Sequence, residues 1–295
     1  MNSEGYFIEN YLQTKIKDES FDVDLISQFD LCIQLYERSF SFCVIDSYSN
    51  RCLLLESYDL PHYPDRSFSD QLNYIFEDHH FLTAGFWKTV KISISNKQYS
   101  LIPSALFKSS ALFKYLEYHT AYDPKVHTIY QYKHDLPESI NVFAVDSEVI
   151  NKVKSFYPEN KVKVIHQTST LIMGAMKDQQ SMSLKTIYLT VHKNSFTLIL
   201  KNENALEYCN TFSYFSANEF IYYLMFIAST LNINKKTTKL VLLGDIDKDS
   251  EEYSKIIQYF KFISFGEKPS YLKYGYVFDE VSDHQFFDLY SIYLC

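Results

Sequence analysis

The residues able to do chemistry in this chain are few, and their spacing excludes more than it suggests. The six glycines, Gly5, Gly85, Gly174, Gly244, Gly266 and Gly275, stand singly. Neither G-x-G-x-x-G nor G-x-x-x-x-G-K-[ST] can be written, so no glycine-rich phosphate cradle of either kind is expected. His79-His80 has no third ligand at metal spacing and reads as a solvated helix end. Nine histidines allow many Ser-His-Asp combinations, but no G-x-S-x-G elbow singles one out. The five cysteines, Cys32, Cys43, Cys52, Cys209 and Cys295, are odd in number and form no C-x-x-C, so neither a disulfide framework nor a zinc ribbon is indicated. What remains is a pair of aspartates, Asp146 and Asp245, each closing an apolar strand-like run. Asp146-Ser147, followed by Glu148 and Asn151, fits a helix N-cap.

The elements that hold these residues repeat. Leu31 to Val44 matches Ile187 to Leu200 without a gap, at an offset of 187 − 31 = 156. Leu31, Ile33 and Leu35 fall on Ile187, Leu189 and Val191, and Ser39-Phe40 falls on Ser195-Phe196. Alternating apolar residues flank a four-residue polar turn in each copy, which predicts a β-hairpin. A third strand follows (52–56; 205–209), then a helix (70–80; 218–231). The copies match again at Ile140 to Val145 and Lys239 to Gly244, the strands that end in Asp146 and Asp245. Each leads into a helix (148–156; 251–260), a strand (162–166; 261–265) and a closing helix (169–176; 285–294). Apolar strands followed by helices imply parallel crossovers, so each half reads β-β-β-α-β-α-β-α, a mixed sheet with helices on its faces.

The first half is longer. Its extra residues, about 86–139, predict a hairpin (89–95; 98–102), a helix (104–119) and a strand (126–132), read as a small subdomain inserted after the first helix. The expected domains are residues 1–183, with that insertion, and 184–295. Within the insertion, Ala111 to Leu116 either packs on its own hairpin or docks a partner. The aromatic-rich run Phe220 to Phe226 is apolar all round, which means core or partner interface.

Composition narrows the partners. With 36 acidic against 28 basic side chains the net charge is −8, and the longest basic run is Lys235-Lys236. Nucleic acid and anionic membranes need clustered Lys and Arg, so neither is an expected partner. The most apolar stretch, Phe220 to Ala228, is half of a membrane span. The polar start, Met1 to Gly5, has no h-region. A reduced, cytoplasmic protein is expected.

A duplicated β-β-β-α-β-α-β-α half resembles the actin/hexokinase/Hsp70 superfamily, whose halves are ribonuclease-H-like sheets. A subdomain inserted in the first half resembles the bacterial division actin and the actin-like pilus-assembly ATPases. More narrowly, Ser100-Leu-Ile-Pro-Ser-Ala-Leu-Phe107 and His284 to Cys295 resemble the Bacteroidetes family DUF3822, which is assigned an actin-like ATPase fold. Both motifs are apolar packing elements and carry no chemistry.

That resemblance implies ATP held between two lobes by two Asp-x-Gly-x-x-[ST] turns and a Gly-Gly turn, with aspartates organising magnesium. Here the first turn is Tyr36-Glu37-Arg38-Ser39 and the second His192-Lys193-Asn194-Ser195. Neither has the Asp or the Gly, and a Cβ keeps the backbone away from a phosphate. The adenosine turn is reduced to Leu243-Gly244-Asp245. If nucleotide binds, Ser39 and Ser195 would cap phosphates and Gly244 and Asp245 would border adenosine. If the chain is active, Glu37 would see a magnesium-bound water and Asp146 would activate one. The alternatives are solvated hairpin tips and an N-cap. Two functions follow: a non-catalytic or weakly nucleotide-binding scaffold acting through protein contacts, or a divergent ATPase or small-molecule kinase. Ribonuclease-H-like chemistry is not expected, because Leu31 to Tyr36 carries no carboxylate and the net charge is wrong.

Overall fold

The computed structural model describes residues 11–61, 66–118, 120–178 and 185–295. The chain divides into two units. The first holds Met1–Thr170, Tyr271–Glu280 and Ile292–Cys295; the second holds Leu171–Ser270 and Val281–Ser291. The sequence readings at Met1 to Gly5, at His119 and at the 183/184 boundary lie outside the described residues.

The first unit begins with β1 (Leu12–Lys17), followed by β2 (Phe29–Leu35), β3 (Ser39–Asp46), β4 (Arg51–Asp59) and α1 (Phe68–Asp78). Ser67 starts α1 by a capping box: its Oγ accepts from Asp70 N–H at 3.0 Å, and the Asp70 carboxylate accepts from Ser67 N–H at 3.2 Å. Next come β5 (Thr89–Ile94), β6 (Tyr99–Pro103), the short α2 (Lys114–Glu117), β7 (His127–His134), β8 (Ser139–Asp146), α3 (Ser147–Lys154) and β9 (Val162–His166); α4 (Gln167–Lys177) follows, and the division between the units falls within it, between Thr170 and Leu171. The main sheet runs β1-β4-β3-β2-β5-β9, with β5 parallel to both β2 and β9. A small sheet runs β6-β8-β7.

The second unit repeats the plan with β10 (Thr186–His192), β11 (Ser195–Asn202), β12 (Ala205–Ser213), α5 (Ala217–Thr230), β13 (Lys239–Gly244), α6 (Glu251–Ile256), β14 (Phe262–Phe265) and α7 (Phe287–Ser291). Its sheet runs β12-β11-β10-β13-β14. The duplication is exact in register at its core. Leu31 faces Val44 and Leu35 faces Phe40, while Ile187 faces Leu200 and Val191 faces Phe196, each 156 residues on. A third strand pairs antiparallel with the second in both halves.

Three sequence readings are corrected. The expected hairpin of 89–95 with 98–102 does not form. Its first strand is β5, inside the main sheet, and its second is β6, in the small one. The pattern Thr-Val-Lys-Ile-Ser-Ile alternates like a hairpin strand, yet β5 is buried from Val90 onward because Lys91 is satisfied internally, its Nζ donating to Tyr293 O at 2.7 Å. Consequently the first-half counterpart of β13 is β5, and Ile140 to Val145 belongs to β8 at the centre of the small sheet. A buried strand ending in Asp fits either place. The small sheet therefore spans 99–146 and follows the fourth strand, offset from the expected 86–139 after the first helix. Finally, the helix expected over 104–119 is broken into two 3-10 turns, Ser104–Leu106 and Ser109–Ala111, and α2. Pro103 and the serines at 104, 109 and 110 favour turns over a continuous helix. Of Ala111 to Leu116, Leu112, Tyr115 and Leu116 pack with Ile102, Val142 and Ala144 of the small sheet, whereas Phe113 is exposed.

All five cysteines are free, with Cys32, Cys43 and Cys52 buried in the first sheet. No helix among the described residues is long and apolar enough to cross a membrane.

Candidate functional site

In open α/β sheets ligands meet the carboxyl ends of parallel strands. In the second unit that end is built from β10, β13 and the segment before α7. Gly244 closes β13 with φ +82°. Its N–H donates to His284 O at 2.9 Å, and Asp245 N–H donates to Val191 O at 2.7 Å. A Cβ on Gly244 would run into the Val191 carbonyl oxygen. The glycine is thus required by the crossing of two backbones, whether or not a ligand binds.

His192, the last residue of β10, stands between two carboxylates. Its Nδ1 lies 3.7 Å from Asp245 Oδ2 and its Nε2 lies 3.6 Å from the buried Asp288 Oδ2 of α7. Burial lowers the pKa of His192, but the Asp245 hydrogen bond and the charges of Asp288 and Asp245 outweigh it, and the net direction is upward. Because the two acids approach opposite ring nitrogens, they cannot share one metal with this histidine. Among the described residues no group of three or more His, Cys, Asp and Glu side chains is placed to hold a metal ion. Tyr214 completes the cluster, its OH donating to His192 O at 3.1 Å. Burial, then the charge and hydrogen bond of Glu252, push its pKa up. Ser195 faces His192 across the hairpin tip.

The first unit presents a different surface at the same place. Ile94 pairs with Leu35 as Gly244 pairs with Val191, so Ser95 stands where Asp245 does. Ser95 Oγ donates to Gln167 Oε1 at 2.7 Å, at the start of α4. Buried His166 accepts on Nδ1 from Thr168 N–H at 3.2 Å, and its Nε2 lies 3.1 Å from Asn96 O. Burial holds it neutral, with a pKa lowered to about 3. Asn141 Nδ2 donates to Thr168 Oγ1 at 2.8 Å and Ser169 Oγ at 2.9 Å. These bonds are made by polar, uncharged side chains at this strand end.

The candidate residues from the sequence therefore separate. Ser195, Gly244 and Asp245 come together in the second unit, joined by His192 and Asp288. Glu37 and Ser39 share the other hairpin tip, where Tyr36 N–H donates to Ser39 O at 2.9 Å and Glu37 is exposed. No residue of either tip, 36–39 or 192–195, is among those with positive φ, so neither tip takes the left-handed backbone that a glycine turn uses. Asp146 is at neither tip. It ends β8 and caps α3, its Oδ1 accepting from Glu148 N–H at 2.8 Å and Val149 N–H at 3.2 Å.

Sequence reasoning missed a second cluster in the first unit. Glu56 on β4 is fully buried; His79 Nε2 lies 2.8 Å from it, Tyr58 OH donates to it, and Lys15 Nζ lies 3.2 Å away. His79 Nδ1 accepts from Phe81 N–H at 3.3 Å, so the proton it donates to Glu56 is on Nε2. Burial raises the Glu56 pKa, but the bonds from His79 and Tyr58 and the positive charge of Lys15 hold it below the ordinary range. His79 is thus a packed residue and not a solvated helix end. The signal was the lone Glu within Cys52-Leu-Leu-Leu-Glu56.

Comparison with known proteins agrees with this architecture. The family model described as protein of unknown function (DUF3822) matches residues 18–263. A crystal structure from Bacteroides thetaiotaomicron, a protein with actin-like ATPase fold and unknown function, superposes with TM-score 0.80 at 18% identity, covering 93% of this chain and 99% of that one. The PilM-PilN type IV pilus biogenesis complex superposes with TM-score 0.57 at 10% identity, over 90% of this chain and 97% of that one. No curated protein matches significantly. With more than half of its length matched by the family model, the chain belongs to the DUF3822 family and has the actin-like ATPase fold.

Proposed function

We propose that this protein is an actin-like scaffold that works by protein contact and does not form a tight Mg-ATP site. The halves 1–183 and 184–295 serve as its lobes, and the cytoplasm, which suits its five free thiols, as its compartment. The observation that carries the reading is the backbone of the two hairpin tips. Neither has a glycine, neither turns left-handed, and the surviving Gly244 is accounted for by Val191. The imidazole of His192 lies 3.7 Å from Asp245, the carboxylate nearest the strand end. That the fold occurs in a protein complex, PilM-PilN, supports protein contact as its use. Isothermal titration of the full chain with Mg-ATP tests the proposal, with expected affinity weaker than about 1 mM, or about −4 kcal/mol. Micromolar binding with phosphate release refutes it.

The second reading, a divergent ATPase or small-molecule kinase, draws on one feature: Gly244 and Asp245 retain a strand-end glycine turn with φ +82°. It requires measurable phosphate release by the wild type that Glu37→Ala abolishes. Asp146→Ala is not its test, because Asp146 is a helix cap in the small sheet.

A further inference from the structure

Helix α5 lays one face on the second unit's core through Phe220, Leu224, Ile227 and Ala228. Its opposite face is aromatic and bare. Phe215, Tyr222 and Phe226 are 91%, 64% and 58% exposed. Tyr222 and Phe226, four residues apart within the helix, lie on one face of it, and Phe215 stands just before its N-terminus. Phe215 is the residue before the N-cap Ser216, a position whose apolar side chain ordinarily folds back on the fourth helical residue. That residue, Phe220, is buried, and Phe215 stays outside.

The charges around the stripe are unevenly placed. At the N-terminal end stand Glu219, which accepts from Phe215 N–H at 2.9 Å, and Glu252, whose charge bears on neighbouring Tyr214. Glu251 precedes Glu252 in the first turn of α6. At the C-terminal end the chain continues into Lys235 and Lys236, and Lys261 N–H donates to Lys235 O at 3.2 Å. Helix α5 itself carries no Lys or Arg. A surface that is acidic at one end, aromatic in the middle and basic at the other is complementary to itself turned end for end. This is the requirement of an isologous two-fold contact. Antiparallel packing also opposes the two helix dipoles.

We propose that this face of α5 is the interface of a homodimer, with Phe215, Tyr222 and Phe226 as its seam and the glutamate end of each copy facing the lysine end of the other. Three aromatic residues exposed to this extent offer about 400 Å², roughly half of the area a standard interface buries per partner. Ile257, just past α6, and Phe262, at the start of β14, are further exposed apolar side chains of the same unit. The inference is independent of whether nucleotide binds.

Sedimentation of the full chain tests it, over about 1 to 100 micromolar, the affinity range open to an interface of this size. The expected result is a concentration-dependent dimer that weakens with added salt. Tyr222→Glu and Phe226→Glu should each raise its Kd about tenfold or more. Phe215→Ser, at a side chain too exposed to matter for folding, should also weaken it, and Tyr118→Ser in the first unit should not. Far-UV circular dichroism checks that all variants fold. A chain that stays monomeric throughout overturns the proposal and leaves the stripe to another protein. A dimer indifferent to Phe215→Ser and Tyr222→Glu overturns it equally.

Discussion

Replacing Gly244 by alanine separates a packing glycine from a ligand-binding one. At φ +82° an alanine costs about 1–2 kcal/mol in backbone energy alone. Its Cβ would also collide with the Val191 carbonyl oxygen, and that obstacle is backbone, so it cannot swing aside. The same oxygen accepts from Asp245 N–H at 2.7 Å, and Gly244 N–H donates to His284 O at 2.9 Å. Relieving the collision stretches both bonds, each worth about 1 kcal/mol net. The expected loss is about 3–4 kcal/mol of second-unit stability, with no nucleotide present. Urea unfolding followed by far-UV circular dichroism measures it. Trp87, the single tryptophan, is buried in the first unit's core, so its fluorescence follows the other unit in the same titration. Gly85→Ala is the control: the nearest atom to its Cβ is Phe156 O at 3.8 Å, an ordinary contact, so stability should stay within about 0.5 kcal/mol. A Gly244→Ala protein as stable as the wild type would refute the packing argument and return this glycine to the nucleotide reading.

The other predictions concern charge and capping. Because the folded pKa of His192 is raised, its contribution is complete below about pH 6.5 and disappears as pH rises through the folded value. Urea unfolding of wild type and His192→Gln should therefore differ most near pH 6 and converge in alkali; a difference that grows with pH contradicts the Asp245 and Asp288 contacts. The Glu56 pKa is held low, so its contribution is present above about pH 4.3 and fades as acid protonates it. Glu56→Gln should cost about 1–3 kcal/mol at pH 7 and flatten the acid limb of a stability-against-pH curve; an unchanged acid limb would remove Glu56 from the account. Asp146→Ala should cost about 1 kcal/mol through the lost α3 cap, read by thermal unfolding, without altering any phosphate release.

The duplication was legible because hairpin alternation is a strong, local signal. The strands within Leu31 to Val44 and Ile187 to Leu200 are buried on both faces on either side of their exposed tips, and side chains at every second position must match when the register matches. The fourth strand of the first half was not legible, for a reason particular to this chain. Lys91 and Ser93 give β5 the look of a half-exposed strand, while their polar atoms are in fact inside, Lys91 against a backbone carbonyl supplied from residue 293. No local window contains that partner. Strand β8 shows the reverse case, a largely apolar strand, Ile140 to Val145 with only Asn141 polar, that reads as the core of a large sheet and is the middle of a small one. The candidate site was half legible. Gly244 and Asp245 stood out as a strand-end pair, but His192 looked like a turn residue until α7, nearly a hundred residues later, brought Asp288 to its other nitrogen. Similarly, strand β1 follows from no strong pattern; it is fixed by pairing with β4, Ile16 against Leu55.

The two halves share a backbone frame at their hairpin tips, while the side chains set on it differ. Leu35 O accepts from Ser95 N–H at 2.8 Å where Val191 O accepts from Asp245 N–H at 2.7 Å. Arg38 O accepts from Leu60 N–H at 2.8 Å where Asn194 O accepts from Tyr214 N–H at 3.1 Å. These four bonds fasten each hairpin tip to the strands beside it, and they use main-chain atoms that any residue supplies. The side chains around them have diverged freely: Ser95 for Asp245, Ile94 for Gly244, Leu60 for Tyr214. A nucleotide site would constrain the tips themselves, since a phosphate reads backbone conformation and tolerates no Cβ at the turn. What is retained is instead the fastening that keeps each sheet's carboxyl end in shape. That frame accords with the proposed use of the fold by protein contact, for which the exposed aromatic side chains at α5 are the surface inferred above.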